Sequence, residues 1–514
     1  MTMKFSCRSE EQRYHALWSS WSAEDAPFAA NSILERTARR HPHRPAIMVA
    51  PDTVYSYEQL YHAATHISHL LTRMKIGKGD RVMILYENSP LFYMAYYGAW
   101  QTGAIVIPLN VFLQEAELLH IIADAQPSLL LVSKTLEKLC AGKIASSVKI
   151  VAQDIIETVA VTDQAIPYET HYHDADEPSI VLYTSGTTGM PKGVVYSSRA
   201  IITNVFQGVA RFNFTHQERA LCPLPLFHSF TQLTCVWSSF ICAACVIIVP
   251  KITRTNLLAA LALKPTVIIG IPTLYGLLCR LKKVSLDSVR YCISGGDPLP
   301  NNIRRAVAWR FGKKLANGYG LTETGPLIAV DLTDQITTTH TVGRPIVELH
   351  CEIRDATDGI GTLWVTGPNL MLGYYNAPEA TEKVMKDGWF NTGDLATFDD
   401  AGNLVLCGRE RELIVNKGVK IYPQEVETVL TNHAAVALAA VIAGHDPADG
   451  DYPVAYVQLI EGATADPEAL RSWCQRYLAP YKVPRQIYIV EQMPMTATGK
   501  INKKELATKL QPPA

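Results

Sequence analysis

Short apolar runs alternate with longer amphipathic stretches through the first part of the chain. PAIMV (45–49), RVMILY (81–86) and AIVIPL (104–109) have the length and composition of buried strands, and Tyr57 to Met74 and Pro90 to Thr102 carry helical spacing between them. Alternation of this kind predicts α/β layering. A second series follows: SIVLYT (179–184), a Gly-rich loop, VVYS (194–197), then a helix whose apolar residues Ile201, Ile202, Val205, Phe206 and Val209 fall on one face. CVIIVP, TVIIGIP and VRYCISGG supply further strands, so the α/β pattern occurs twice along the chain.

After Leu363 the pattern shortens to strands and turns, with DDAGN (399–403) reading as a hairpin turn. A compact α+β unit then runs to the end, with a helix after Pro423, strands in AAVALAAVIAG and YPVAYVQLI, and a helix from Pro467 to Tyr477. The predicted fold class is α/β: a large N-terminal domain of layered sheets plus a β subdomain (1–411), and a small α+β C-terminal domain (412–514). At 514 residues, a single core is too small an answer.

Charge changes this picture little. Lys plus Arg total 47 against 48 Asp plus Glu, so no basic excess points to nucleic acid. Eleven cysteines are scattered without framework spacing, as expected of a reducing compartment. Cys242 and Cys245 have CxxC spacing but lie in FICAACVIIV with no second pair nearby, which favours core thiols over a metal or redox site. That run is too short to span a bilayer, and the N-terminus lacks an apolar signal region, so a cytoplasmic chain without a transmembrane segment is expected.

Candidate chemistry concentrates in a few segments. Tyr183 to Gly193, YTSGTTGMPKG, packs Thr184, Ser185, Thr187 and Thr188 around Gly186 and Gly189, with Lys192 behind them. Backbone amides freed by glycine, several hydroxyls and one ammonium group suit a polyanion. It is not a Walker A loop, because Gly193 and Val194 follow Lys192 where a metal-binding Ser or Thr is required, so a metal ligand must come from elsewhere. NGYGLTETG (317–325) offers an aromatic face at Tyr319, a hydroxyl at Thr322 and a carboxylate at Glu323, the materials for stacking on a base and holding a hard cation; a capped helix start is the plain reading. WFNTGDL puts Asp394 after a glycine, placed to accept from ribose hydroxyls, or simply in a turn. Lys500 follows Gly499 in MTATGKINKKEL, where a lone lysine is ordinarily a solvated charge.

Together and in this order the segments resemble the adenylate-forming superfamily of acyl-CoA synthetases, luciferase-like enzymes and adenylation domains, closest to fatty-acid CoA ligases. The likeness runs from Asn31 to Leu506 and includes GDRVMILYENSP, GAIVIPLN, PLFHSF, GIPT, SGGDPLP and VGRP. It implies an enzyme that uses ATP, Mg²⁺ and coenzyme A in two half-reactions, with a C-terminal lid that turns between them.

By the same resemblance, Thr184, Ser185, Gly186, Thr187, Thr188 and Lys192 hold the β- and γ-phosphates. Glu323, with Thr184 and Thr322, positions Mg²⁺ and phosphate. Gly295, Gly296, Asp297 and Tyr319, flanked by Asn317, Gly318 and Gly320, line the adenine site, and Asp394 and Arg409 bind ribose. Lys500 bridges the carboxylate and the α-phosphate, Arg411 sits at the hinge, and Gly418 faces the pantetheine channel. The catalytic candidates are Lys500, Glu323, His228, Thr184 and Lys192.

Ser198, Thr362 and Lys417 depart from the family pattern away from these positions, and Asp297 replaces a frequent small residue beside the adenine. His228 stands where amino-acid-activating relatives present an Asp, which disfavours an ammonium-bearing substrate. Thr231 stands where fatty-acid-activating relatives often have Gly, so its β-branched side chain is expected to narrow or redirect the acyl channel. The expected substrate is a medium- or long-chain fatty acid, the alternatives being an aryl acid, acyl carrier protein as acceptor, or a non-catalytic nucleotide or acyl-ligand sensor. Whether the chain is a monomer or a homodimer is open.

Overall fold

The computed structural model describes residues 2–3, 8–23, 28–140, 148–160, 166–184, 190–332, 341–416, 419–446, 450–496 and 501–509. Two largely parallel sheets dominate, with a large N-terminal body and a smaller C-terminal one. One sheet has seven strands, in the order Gly373–Tyr374, Lys192–Ser197, Pro178–Thr184, Ile105–Pro108, Arg81–Leu85, Leu129–Val132 and Lys149–Ala152. The other has eight: Leu327–Val330, Leu315–Gly320, Tyr291–Ser294, Val267–Gly270, Arg219–Cys222, Cys245–Ile248, Pro45–Val49 and Thr53–Ser56.

The predicted strands form, but sequence neighbours do not all become sheet neighbours. Pro45–Val49 leaves the first series and pairs in parallel with Cys245–Ile248 in the eight-stranded sheet. Arg81–Leu85 pairs with Ile105–Pro108 and Leu129–Val132 in the seven-stranded one. Leu129–Val132, Cys245–Ile248 and Val267–Gly270 are buried along their whole length, which explains why they read as continuous apolar runs rather than alternating ones.

Local signals place the helices. Ser56 and Gln59 form a capping box at the start of Tyr57–Arg73, and Ser89 with Pro90 opens Pro90–Gln101. Helix Ser198–Phe212 differs from its predicted one-sided pattern, because polar as well as apolar positions are buried. Its amides satisfy chain that would otherwise be stranded: Asn204 Nδ2 donates to Leu327 O at 3.0 Å, Leu327 N donates to Asn204 Oδ1 at 2.9 Å, and Gln207 Nε2 donates to Val347 O at 2.7 Å.

A six-stranded, mainly antiparallel sheet contains His350–Thr357, Ile360–Thr366, Trp389–Phe398 and Leu404–Arg409. Its last two strands are joined by the expected turn, where Gly402 N donates to Asp399 O at 2.8 Å and Asp399 N to Asn403 O at 3.0 Å. From Ile414 onward the chain has its own core, including Ile421, Val426, Leu430, Val457 and Leu470. It is built on strands Val436–Asp446, Gly450–Leu459 and Gln486–Val490 with helices Pro423–Thr431 and Pro467–Tyr477.

Cys242 and Cys245 are core thiols, as expected: desolvation pushes both up to about 12, leaving neither a thiolate. Among the described residues no helix is long and apolar enough to cross a membrane.

Candidate active site

A single cavity of about 1360 Å³ gathers the chemistry-bearing segments. Thr184, Lys192, His228, Gly295, Gly296, Asp297, Asn317, Gly318, Tyr319, Gly320, Thr322, Glu323, Asp394 and Arg409 all line it. Ser185, Gly186, Thr187, Thr188, Gly418 and Lys500 lie outside the described residues.

One part of the cavity begins at a hairpin mouth. Thr184 and Lys192 are opposed across the antiparallel pair Pro178–Thr184 and Lys192–Ser197, so the Gly-rich loop leaves and returns at one point. Lys192 Nζ lies 5.3 Å from the ring centroid of Tyr374, whose hydroxyl donates to Glu323 Oε1 at 2.8 Å. Burial, and the Glu323 carboxylate next to it, hold the Tyr374 phenol far above its ordinary range, so it remains a neutral donor.

Glu323 sits in the short turn Thr322–Thr324. The turn is steadied by Tyr196, whose hydroxyl donates to Thr322 O, and by a 3.1 Å bond between Ser229 Oγ and Thr322 Oγ1. Just before it, Gly320 packs so tightly that an added Cβ would lie 1.8 Å from Pro326 O. No other residue fits there.

Oxygen donors from Glu323, Thr322 and Thr184 suit a hard cation, and they fit Mg²⁺. Among the described residues there is no group of three or more His, Cys, Asp and Glu. A one-carboxylate set is what an ion needs when substrate phosphates and water complete its shell.

In another part of the lining, Asp394 and Arg409 are opposed on strands Trp389–Phe398 and Leu404–Arg409. Tyr319 Oη donates to Asp394 Oδ2 at 2.6 Å, and Arg409 Nε lies 3.0 Å from Asp394 Oδ1. Burial lifts the Asp394 carboxyl above its ordinary range, opposed by the Arg409 guanidinium and the Tyr319 hydroxyl. Both Asp394 oxygens therefore carry an internal bond, and a ribose hydroxyl would share lone pairs with Tyr319 or Arg409. Asn317 Nδ2 donates to Thr341 O at 3.1 Å, which fixes the strand beneath Tyr319.

His228 caps the next helical turn, with its Nδ1 accepting from Phe230 N at 3.3 Å. The apolar arm beyond it is walled by Val209, Phe212, Phe230, Leu233, Ile269 and Ile293. Phe230 packs on Gly295, where an added Cβ would meet its ring at 3.3 Å. Thr231 overturns its expectation: it is buried, it does not line the cavity, and its hydroxyl has no partner among the described residues. The helical turn that brings Phe230, Leu233 and Thr234 to the arm points Thr231 into the core.

Sequence reasoning missed Tyr374, Tyr196 and a charged cluster contributed by the C-terminal part. Lys503 Nζ lies 2.8 Å from Glu412 Oε2 and 2.8 Å from Glu427 Oε1, all three lining the cavity. Burial pushes the Glu412 carboxyl up, yet Lys503, Arg409 and Arg411 pull it below its ordinary range. Burial also works against the Lys503 charge, and Glu427 and Glu412 outweigh it and hold the ammonium well above the usual range. The aromatic pair after glycine in LGYYN was the available signal for Tyr374. Nothing local marked Lys503, whose partners lie far away in sequence.

The chain matches AMP-binding enzyme over residues 34–375 and AMP-binding enzyme C-terminal domain over residues 425–500. It is 30% identical to feruloyl-CoA synthase of Amycolatopsis sp, covering 92% of this chain and 97% of that one. It is 29% identical to long-chain-fatty-acid–CoA ligase of Bacillus subtilis, covering 92% and 93%. Among solved structures, O-succinylbenzoate coenzyme A synthetase from Bacillus subtilis, in complex with ATP and magnesium ion, superposes with a TM-score of 0.83 at 27% identity, covering 93% of this chain and 99% of that one. The chain belongs to the AMP-binding enzyme family, within the adenylate-forming acyl-CoA synthetases. Its activity class is that of an AMP-forming acid–CoA ligase.

Proposed function

We propose that this ligase activates a medium- or long-chain fatty acid. The observation that carries the alkyl reading is the length of the apolar arm. Cavity-lining residues occupy alternate positions of one strand from Gly295 back to Tyr291, beside Ile269 and Val267 of the neighbouring strand. Four residues at strand rise span about 13 Å, more than one aromatic ring needs and suited to an extended chain.

In the first half-reaction the substrate carboxylate attacks the α-phosphorus of ATP, and pyrophosphate leaves. A free carboxylate is a poor electrophile, and adenylation supplies the leaving group. The loop between Thr184 and Lys192 holds the β- and γ-phosphates, with the Lys192 ammonium offsetting their charge. Glu323 with Thr184 would hold Mg²⁺, which would supply further neutralisation of phosphate charge. Tyr374 orients the Glu323 carboxylate from behind. Gly295, Gly296, Asp297 and Tyr319 face the adenine, and Asp394 with Arg409 faces the ribose. Lys500 bridges the carboxylate and the α-phosphate as charge develops. In the second half-reaction the CoA thiol attacks the acyl carbonyl and AMP leaves, with the region of Gly418 beside the pantetheine. The resemblance supports these roles for Lys500, Gly418 and the loop between Thr184 and Lys192, and the cavity lining supports the others.

An aryl acid is the second reading. Phe212, Phe230 and Tyr291 give the arm aromatic walls, and feruloyl-CoA synthase is among its relatives. Incubation with ATP, Mg²⁺, CoA and a mixed carboxylate pool, followed by mass spectrometry, separates the two. Alkanoyl-CoA products are expected. Aryl-CoA products alone would sink the fatty-acid reading, and ATP binding without pyrophosphate release from any acid would sink the ligase. Replacing CoA by a carrier protein tests the remaining acceptor.

A further inference from the structure

The far end of the apolar arm is built where helix Ser198–Phe212 finishes and strand Tyr291–Ser294 begins. There the rings of Phe212 and Tyr291 meet edge to face, with centroids 5.6 Å apart and planes at 69°. Arg290 braces the pair from behind. Its guanidinium carbon lies 4.6 Å from the Tyr291 ring centroid, Nη2 is 2.6 Å from Glu218 Oε1, and Nη2 also donates to Asn213 O at 3.2 Å. Glu218 is itself held, its Oε2 accepting from Thr266 Oγ1 at 2.6 Å. One arginine thus ties the helix end, the strand start and the 218 loop together.

The arm has levels set by strand register. Val267 is opposed to Tyr291 at the far level and Ile269 to Ile293 at the middle one, while Gly295 meets Phe230 at the reacting end. A chain entering beside Gly295 and Phe230 passes the aliphatic Ile293 and Ile269 next and reaches the aromatic pair last.

We propose that Phe212 and Tyr291, braced by Arg290 on Glu218, form the end wall that fixes the longest acid this ligase activates. The inference rests on reading the apolar arm as the acid pocket. Up to the wall, each methylene buried gains about 0.8 kcal/mol, roughly fourfold in kcat/KM. Beyond it, a longer chain must displace two packed rings or fold back, so kcat/KM falls. An arm open at this end would give a plateau instead.

The test is a series of straight-chain saturated acids assayed by pyrophosphate release with CoA present. The wild type is expected to rise to a maximum and then drop at least fourfold over the next two carbons. Phe212→Ala and Tyr291→Ala move the maximum to acids at least two carbons longer, Phe212→Trp moves it to shorter ones, and Arg290→Ala flattens the drop. Phe212→Leu serves where an alanine variant fails to fold. A maximum that stays in place in variants with the wild-type melting temperature overturns the wall. If the enzyme turns over aryl acids only, the fatty-acid reading fails by itself. The same variants are then run on para-alkylbenzoates of increasing tail length, where the wall requires the same opposite shifts and their absence overturns it.

Discussion

At the nucleotide end, Asp394 accepts from Tyr319 at 2.6 Å and meets Arg409 at 3.0 Å, and Glu323 accepts from Tyr374 at 2.8 Å. At the end proposed to take the acid, Phe212 and Tyr291 touch through ring edges, and the walls are mainly aliphatic or aromatic. The first region relies on directional bonds between individual polar atoms. The second relies on surface area that many side chains share. Loss of one group is therefore severe at the polar end and graded at the apolar end. A polar site of this kind fixes the chemistry, and an apolar arm can change its substrate without disturbing it.

The largest effect is expected from Lys500→Ala. If Lys500 has the proposed role between carboxylate and α-phosphate, its loss is expected to lower acyl-AMP formation by about a thousandfold, the scale of losing one preorganised charge at a transition state. On the proposed reading this lysine serves only the adenylation step, so thiolysis of supplied acyl-AMP is expected to be largely spared. Single-turnover assays of each half-reaction measure the split, and equal losses would contradict the two-step assignment.

Lys503→Met tests whether the same dependence on single groups extends into the C-terminal part. It leaves Glu412 and Glu427 facing each other without their cation, at a cost of about 2 kcal/mol, between the values for exposed and fully buried pairs. The pH dependence has a definite sign. The Glu412 carboxyl is lowered on folding, so its contribution is present above the ordinary glutamate value of about 4.3 and is lost as pH falls through the folded value. The Lys503 ammonium is raised, so its contribution is present below about 10.4 and is lost as pH rises through its folded value. The wild type is therefore expected to exceed the variant by the full amount between those limits and by less in acid. Hydrogen exchange in helix Lys503–Lys509 reads this locally.

The two regions were also unequally legible in the sequence. Tyr319, Glu323 and Asp394 stand in short polar segments whose composition already indicates binding, and the structure gathers them round one cavity. The helix Pro467–Tyr477 was readable to its ends because Asp466 caps it, accepting from Ala469 N at 2.7 Å, and Pro467 opens it. Contacts between distant segments left no such mark. Tyr374 on Glu323, Lys503 between two glutamates, and Arg290 on Glu218 each depend on how sheets pack. The exchange of Pro45–Val49 into the eight-stranded sheet was equally silent, since a buried strand has the same pattern in either sheet. For the acid pocket the resemblance pointed to Thr231, which does not line the cavity, because a likeness in sequence indicates a position but not the direction its side chain takes.

Thr231→Val carries that last point to an experiment with the smallest expected effect. Val is nearly isosteric with Thr and replaces a buried hydroxyl that has no partner among the described residues. Removing an unsatisfied polar group from a closed site relieves its desolvation penalty, so stability is expected to stay the same or rise by about 1 kcal/mol. Because Thr231 does not line the arm, the chain-length maximum should not move, in contrast to the shifts expected at Phe212 and Tyr291. Melting temperature and the same acid series measure both quantities. A shifted maximum in Thr231→Val would return chain-length control to the helix beside His228 and weaken the contrast between a rigid polar end and an adjustable apolar one.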